Sequence, residues 1–210
     1  MITTVQALEE YGRTRLSPNF FMREFLHSEI AEIEGIANVP VDPDLAILAG
    51  QGLCQNVLEP IETALGRISV RSAYRSPDIN RCGYEKGYAC ALNEKNYTRH
   101  IWDIKDEDGH YGATACILVN SFVDYYEKTG DWTALAWWIH DHVRGYREMV
   151  FYPRLAAFNI NWYSGPPKER SITAWFDSPH TGKDRILTRT GMDNFAGDHS
   201  ASYEPWLSTP

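Results

Sequence analysis

Histidines and aspartates are concentrated in one short stretch of the chain, residues 100–110, and both side chains bind divalent metal ions. The candidate ligands are His100, Asp103, Asp106 and His110. Imidazole nitrogens and carboxylate oxygens are zinc ligands, and the carboxylates of residues 103–109 could instead hold calcium through oxygen. The competing interpretation is an Asp-Gly turn with solvated carboxylates. The sequence favours the turn, and keeps zinc, then calcium, as alternatives.

The cysteines suggest a second chemistry. Cys82 and Cys90 flank a loop rich in Gly and Tyr, and they could form a disulfide or bind a structural metal together with His100. Free thiols are the expected state in a reducing compartment. Four cysteines in a chain of 210 residues are also too few for a disulfide framework. The pairing of Cys82 with Cys90 therefore stays open at this point.

Other patterns give no catalytic site. His140 and His142 lie two residues apart on a predicted helix, where their side chains point away from each other. Structural roles near the helix end are therefore expected for them, rather than a shared metal. The chain contains no glycine-rich phosphate loop and no Gly-x-Ser-x-Gly nucleophile motif.

Helix caps and hydrophobic periodicity predict the elements that must position these residues. The clearest is a helix over residues 43–65, with Asp42 as a good N-cap and Pro43 in the first turn. Gly66 suits the position after its C-terminus, and Pro60 is expected to kink it. Periodicity predicts further helices at residues 21–34, 120–128 and 132–142, and strands at residues 68–74, 113–119, 148–152, 158–163 and 171–176.

This order of elements predicts an α+β fold in which helices flank a small antiparallel sheet. Residues 77–112 read as a long irregular stretch, and such stretches in compact domains are usually functional or held in place. The segments we expect are an N-terminal arm at residues 1–15, one domain at residues 16–178 and an extended C-terminal tail at residues 179–210.

The motif Tyr74-Arg75-Ser76-Pro77 follows the predicted strand at residues 68–74 and is the most informative in the chain. With residues 16–20, 35–40 and 56–61, and with Asn80, it resembles the zinc D-alanyl-D-alanine carboxypeptidases, which are peptidoglycan D,D-peptidases. The resemblance is strong over residues 16–80. Over residues 111–162 it is weaker and is carried by element order.

The resemblance implies a D-Ala-D-Ala carboxypeptidase-like fold and a substrate-binding role for Tyr74, Arg75 and Ser76. In the family, the arginine of this motif binds the C-terminal carboxylate of the substrate. A guanidinium at Arg75 suits planar, bidentate capture of a carboxylate. The alternative is that Arg75 braces its loop through a salt bridge.

The same resemblance implies a zinc site whose ligands are largely replaced here. The family binds zinc through a histidine, an aspartate seven residues later and a histidine on a later strand, beside a carboxylate that acts as general base. The corresponding positions hold Gly109, Cys116 and Asn159, and Asn161 replaces a further aspartate. Residues 154–158 contain no carboxylate for the base. No catalytic residue is therefore assigned.

A rebuilt zinc site is the alternative to lost catalysis. Thr98-Arg99-His100 resembles the start of the family's first histidine motif, and an insertion could follow it. His100, Asp103 or Asp106, and His110 would then be the metal ligands of a working enzyme.

Composition excludes several functional classes. The formal net charge is −8 and the isoelectric point is near 5.3, which gives no electrostatic basis for nucleic-acid binding. No apolar stretch approaches the roughly 18 residues of a membrane helix. The first residues lack the basic start and apolar core of a signal peptide.

Three functional hypotheses follow from the sequence. The first is a non-catalytic D,D-peptidase-like module of a phage or prophage particle or lysis system, located in the virion or in the host cytoplasm before lysis. Such a module would bind peptidoglycan peptides or contact other virion proteins. The second is an active zinc-dependent peptidoglycan peptidase with rebuilt ligands. The third is a purely structural protein in which Arg75 is a brace.

Overall fold

The computed structural model describes residues 2–166, 169–176 and 185–209. Its α-helices are α1 Val5–Gly12, α2 Glu29–Glu34, α3 Pro43–Leu53, α4 Glu59–Leu65, α5 Pro77–Glu85, α6 Asn93–Asn96, α7 Val123–Thr129, α8 Thr133–His142 and α9 Ser200–Leu207. Its strands are β1 Ile68–Ser72, β2 Gly112–Val119, β3 Glu148–Phe151, β4 Phe158–Tyr163, β5 Ser171–Ala174 and β6 Ile186–Arg189. No helix in these ranges is long and apolar enough to cross a membrane.

The six strands form one sheet in the order β1-β2-β4-β3-β5-β6. The predicted α+β class is confirmed. The prediction of an antiparallel sheet is wrong at one pair, because β3 and β5 run parallel while the other neighbours are antiparallel. The cause is the order in which the strands join the sheet. Strands β3 and β4 form an antiparallel hairpin, and β5 then pairs with the free edge of β3 and runs in the same direction as β3.

Helices α3 and α4 form the long helix expected over residues 43–65. Asp42 accepts the backbone N–H of Leu45 at 3.0 Å at the N-terminus, and Gly66 ends the helix with a φ of 81°. A π-helical turn, Cys54–Leu58, lies between the two helices just before Pro60. The irregularity expected from Pro60 is therefore this turn, which accommodates a residue that has no N–H to donate.

The long helix packs against the middle of the sheet. Helix α3 contacts β2 and β4, and Leu53, Val57 and Ile61 are fully buried. Gly52 lies where the indole of Trp162 crosses the helix, so close that an added Cβ would stand 2.2 Å from that ring. This contact fixes the helix over the strands that carry the candidate site.

The helix predicted at residues 21–34 is two shorter elements. A 3₁₀ turn covers Met22–Phe25, and α2 begins only after Ser28, whose hydroxyl accepts the backbone N–H of Ala31 at 3.4 Å. Gly35 ends α2 in the left-handed conformation with a φ of 65°. Ser28 competes with helix continuation because its side chain satisfies a free N–H at a new helix start.

The stretch at residues 77–112 is held in place by buried asparagines. Asn80, which is fully buried on α5, donates to the Ala91 carbonyl at 2.9 Å and to the Asn93 side chain at 2.8 Å. Asn96 on α6 donates back to the Asn80 side chain at 2.9 Å. The prediction that this stretch is irregular is therefore wrong at α5 and α6, where local helix signals at Ser76 and Pro77 start a helix, and the asparagine bonds fasten the remaining loop to α5.

The prediction of an extended tail at residues 179–210 is wrong for the part that the structure describes, residues 185–209. Strand β6 joins the sheet beside β5, and α9 packs against α8. The cause is a set of aromatic side chains that bury apolar area: Trp206 meets Phe122 at 4.8 Å between ring centroids, and His199 stacks on Trp137 at 3.9 Å. The predicted boundary at residues 178 and 179 lies outside the described residues. The N-terminal arm contains α1.

Candidate functional site

The loop that carries Arg75 is held from both sides by one asparagine. Asn38 donates to the Tyr74 carbonyl at 2.9 Å and accepts the backbone N–H of Ser76 at 2.8 Å. The backbone N–H of Arg75 donates to the His100 carbonyl at 2.8 Å. The segment at residues 35–40 and the Tyr74-Arg75-Ser76 motif are thus one structural unit.

A second contact joins two more of the segments on which the resemblance depends. Glu59 accepts hydrogen bonds from the Ser17 hydroxyl at 2.7 Å and from the backbone N–H of Asn19 at 2.7 Å. It also accepts from the Asn19 side chain at 2.9 Å. Segments far apart in sequence therefore meet in a scaffold.

The Arg75 side chain lines a groove that also contains Cys116 and Asn159. These two residues face each other across β2 and β4 as register partners. We use the name Arg75 groove for two adjoining cavities, of about 350 and 540 Å³, that share Arg75 and Asn159. The groove brings together three positions that the sequence could relate only through the family resemblance.

The groove is cationic although the chain is acidic. Arg71, Arg75, Lys95 and Arg99 line it together with Glu29, and Arg99 is ion-paired with Glu148. Positive charge concentrated in a cleft attracts anionic ligands despite a negative total charge.

The guanidinium of Arg75 is held by the side chains of an asparagine and a cysteine. Its Nη1 contacts the Asn80 side-chain oxygen at 3.4 Å and the Cys90 sulfur at 3.1 Å. Within residues 2–166, 169–176 and 185–209 it forms no ion pair, so the salt-bridge brace is not found there. Cys90 and Cys82 are free thiols.

Cys116, Tyr152 and Asn159 present neutral groups to the groove. Asn159 donates to the Tyr152 hydroxyl at 2.9 Å. Burial raises the pKa of the Cys116 thiol, and it raises the pKa of Tyr152 to about 12. A protonated, buried thiol is a weak nucleophile and a weak metal ligand.

Two of the predicted metal ligands are engaged in protein contacts. Asp103 is buried and accepts the backbone N–H of Val41 at 2.6 Å and the Tyr74 hydroxyl at 3.1 Å. The Tyr74 side chain thus points into the core, fully buried, and only its backbone belongs to the Arg75 loop. His110 packs edge-on against Tyr163 at 5.5 Å between ring centroids.

Asp106 organises the Asp-Gly turn that the sequence favoured over a metal site. Its side chain accepts the backbone N–H groups of Asp108 at 3.1 Å and His110 at 2.9 Å. Gly109 completes the turn with a φ of 80°, a conformation that favours glycine. The structure does not bring any three of His100, Asp103, Asp106 and His110 to a common ligand position.

His100, and not Gly109, faces Asn159. The Arg99 carbonyl accepts the backbone N–H of Thr114 at 2.9 Å, so residues 98–100 run beside the start of β2, and residues 101–111 loop out between them. His100 lines the groove with Asn159. Gly109, in contrast, lies within this loop and does not line the groove.

Asn161, the second position on β4 where the resemblance implies a replaced aspartate, has a structural role. Its amide nitrogen lies 2.9 Å from the Thr98 carbonyl, 3.1 Å from the Ala113 carbonyl and 3.0 Å from the Thr114 hydroxyl. Only 2% of the residue is exposed. The amide ties residues 98–100 to the sheet and so positions His100.

A separate group of potential ligands, His140, Asp141 and His199, joins α8 to the C-terminal segment. His140 contacts the Tyr146 hydroxyl at 2.5 Å and the Phe195 carbonyl at 2.8 Å through its two ring nitrogens. The ring nitrogens of His199 lie 2.7 Å from Asp141 and 3.0 Å from the Asn194 carbonyl. With every ring nitrogen bonded to protein, this group reads as a structural link.

The sequence did not indicate several residues of the groove. Lys95 and Arg99 reach it only because the asparagine contacts fold residues 77–112 over the sheet. Trp175 lines the groove while 58% exposed, whereas most tryptophans here are buried. Nothing in the sequence distinguishes Trp175 from the core tryptophans.

The chain matches no protein-family model, no curated protein and no solved structure.

Proposed function

We propose that this chain is a non-catalytic D,D-peptidase-like module that binds peptides with a free C-terminal carboxylate, such as peptidoglycan peptides, in the Arg75 groove. The observation that carries the proposal is that Arg75, Cys116 and Asn159 line one groove. In the resembling family the same three positions surround the scissile end of the substrate.

Charge supports a carboxylate as the bound group. The Arg75 guanidinium has no carboxylate partner among the described residues, and Arg71 lines the same cavity. A charge-assisted, bidentate pair is stronger than a neutral hydrogen bond, at about 1.5–3 kcal/mol. The exposed Trp175 offers an apolar face beside it for the rest of the ligand.

The residues of the groove do not fit a catalytic zinc ion. Asn159 offers an amide where zinc requires an imidazole, and the raised pKa of Cys116 opposes the thiolate that would bind metal. We therefore derive no hydrolytic step. Through the same resemblance the proposal extends to a role in a phage or prophage particle or lysis system, where other virion proteins would be the neighbours.

The test uses one peptide in two forms, diacetyl-L-lysyl-D-alanyl-D-alanine and its C-terminal amide, with binding measured by calorimetry. We expect the acid to bind and the amide to bind at least tenfold more weakly. Arg75→Gln should weaken binding of the acid form by at least tenfold, which corresponds to about 1.4 kcal/mol. The control is Arg81→Gln, because Arg81 is exposed and pairs with Asp78 outside the groove.

Mass spectrometry of the recovered peptide separates binding from hydrolysis. Intact peptide is the expected result. Equal affinity for acid and amide, or an Arg75→Gln variant that binds like the parent, would contradict the carboxylate site. Release of D-alanine would favour the alternative, an active zinc-dependent peptidoglycan peptidase.

A further inference from the structure

Beneath the Arg75 groove lies a small polar cavity of about 70 Å³. His100, Thr114, Asn159 and Asn161 line it together with the ion pair of Arg99 and Glu148, and it shares His100, Arg99 and Asn159 with the groove above. Its volume is roughly that of two water molecules in the liquid. Two of its side chains have polar atoms for which the described residues supply no hydrogen-bond partner.

The first of these atoms is Nε2 of His100, a residue that is 5% exposed. Nδ1 of the same ring lies 2.7 Å from the Ala73 carbonyl, which can only accept, so Nδ1 carries the proton. Burial and the charges of Arg75 and Arg99 lower the pKa of His100 to about 3. The ring is therefore neutral near pH 7, and Nε2 has a free lone pair.

The second atom is Oδ1 of Asn161, which is also buried and without a partner. The amide orientation is fixed, because its nitrogen faces the carbonyls of Thr98 and Ala113, and both of these only accept. Oδ1 is therefore an acceptor as well. An unpaired buried acceptor is unfavourable, so a ligand that supplied donors here would be bound more tightly.

The surrounding charge selects a neutral donor. Glu148 also lines the cavity, but it is paired with Arg99, and the charge of Arg75 leaves the surroundings of His100 positive. That charge disfavours the imidazolium form of His100, and it disfavours an ammonium group or a metal ion beside the ring for the same reason. A hydroxyl supplies one donor, whereas the NH₂ of a primary carboxamide supplies two without charge.

We propose that this acceptor pocket, defined by His100 Nε2 and Asn161 Oδ1, binds a primary carboxamide on a ligand whose carboxylate lies at Arg75. The inference rests on the proposed function only for the position of that carboxylate. A methyl group, as in a C-terminal alanine, would leave both acceptors unpaired. The preferred C-terminal residue is therefore one with a short carboxamide side chain, asparagine-like in size.

The first experiment tests the pocket without any carboxylate. Acetamide is titrated into protein with ¹⁵N-labelled histidine, and the Nε2 resonance of His100 is followed by NMR. We expect a saturable shift as Nε2 accepts a hydrogen bond. The internal control is His142, which makes a similar Nδ1 contact to the Trp138 carbonyl at 2.8 Å but lies outside the pocket. Acetate, of similar shape but without N–H donors, should produce no such shift.

The second experiment uses N-acetylated dipeptides that end in asparagine, aspartate or alanine, in both hands, with free carboxylates. We expect the asparagine peptide of one hand to bind at least tenfold more tightly than its alanine counterpart. His100→Asn should abolish that preference, because the shorter amide can still donate to Ala73 but cannot place an acceptor at Nε2. The matched control, His142→Asn, should keep it.

The outcomes separate the two proposals. If acetamide leaves the His100 resonance unchanged, the pocket holds water only and the inference is overturned, even if peptides bind at Arg75. If acetamide shifts the resonance but no peptide binds, the carboxylate site fails and the carboxamide pocket stands. A preference for alanine over asparagine would also overturn the inference.

Discussion

The side chains of the Arg75 groove have protonation states that their neighbours determine. His100 is neutral because it is buried and faces two arginines, and Cys116 keeps its proton because it is buried. The Arg75 guanidinium contacts the Asn80 side-chain oxygen and the Cys90 sulfur. The groove therefore combines a cation with neutral acceptors, which suits binding better than acid–base chemistry near pH 7.

The buried state of His100 predicts a pH dependence of stability. Its pKa is about 3 in the native protein, against an ordinary value near 6.5, so between these values only the unfolded chain binds the proton. Stability should therefore fall as the pH falls below about 6.5, by about 1.4 kcal/mol per pH unit from this group. Above that pH the group contributes no slope.

Urea unfolding of the parent and His100→Asn at several pH values checks this prediction. The difference in unfolding free energy should change between about pH 6 and pH 4.5 and level off near pH 7. Asp103, whose pKa burial raises, contributes the opposite slope in both proteins and cancels from the difference. A difference that does not vary with pH would show that His100 titrates normally.

Gly52 is a second residue whose neighbours decide the effect of a substitution. Gly52→Ala should destabilise the protein by about 1–3 kcal/mol, because the new Cβ would stand 2.2 Å from the Trp162 ring. The clash outweighs the roughly 1 kcal/mol that alanine adds to a helix. Gly50→Ala, where the nearest atom is 3.0 Å away, is the control and should cost less. Thermal unfolding decides: a Gly52→Ala protein as stable as the parent would contradict the packing described here.

Elements with strong local signals could be predicted from the sequence, and elements defined by long-range contacts could not. Asp42 and Gly66 mark the ends of the α3–α4 helix because capping is decided within a few residues. The parallel pairing of β3 with β5 depends on where the chain returns to the sheet. Strand β6 and α9 were missed because they are short, have few apolar residues and are stabilised by contacts with β5 and α8.

The residues of the candidate site likewise divide into those that the sequence could group and those that only the fold brings together. Arg75, Cys116 and Asn159 could be grouped through motif order, because a sheet fixes the register of its strands. His100 reaches the groove because residues 101–111 loop out before β2 begins, and no local rule determines the length of that loop. Trp175 and Lys95 have no signature in sequence, because only their place in the fold distinguishes them.

The junction of α8 and α9 predicts how the C-terminal segment is retained. Asp141 on α8 accepts from the His199 ring at 2.7 Å, from the His199 backbone at 3.1 Å and from the Tyr203 hydroxyl at 3.3 Å. Asp141→Asn removes the charge that binds these donors and should cost about 1–3 kcal/mol. It should also increase hydrogen exchange and proteolysis in α9. Asp124→Asn, on the exposed face of α7, is the control. Unchanged exchange in α9 would show that its aromatic contacts suffice.

At the scale of the whole molecule, the contacts that hold the Arg75 loop are separate from the strand positions that line the groove. The contacts of Asn38 and Glu59 build the Arg75 loop from segments spread over residues 17–76. Strands β2 and β4 carry Cys116 and Asn159 at the positions where the resemblance implies the aspartate and histidine ligands of zinc. The scaffold and the metal site are therefore separable by mutation.

Zinc binding tests that separation. Protein prepared with zinc and then dialysed should retain far less than one zinc per chain, and added zinc should not raise its melting temperature, because Asn159 and the protonated Cys116 are poor ligands. The double variant Cys116→Asp, Asn159→His should gain a site together with His100. Its stabilisation should reach about 2.7 kcal/mol at a free zinc concentration 100 times the Kd. Metal analysis and calorimetry measure both proteins. One tightly held zinc in the parent would support an active peptidase, whereas a double variant without zinc would show that these positions do not form the family's site.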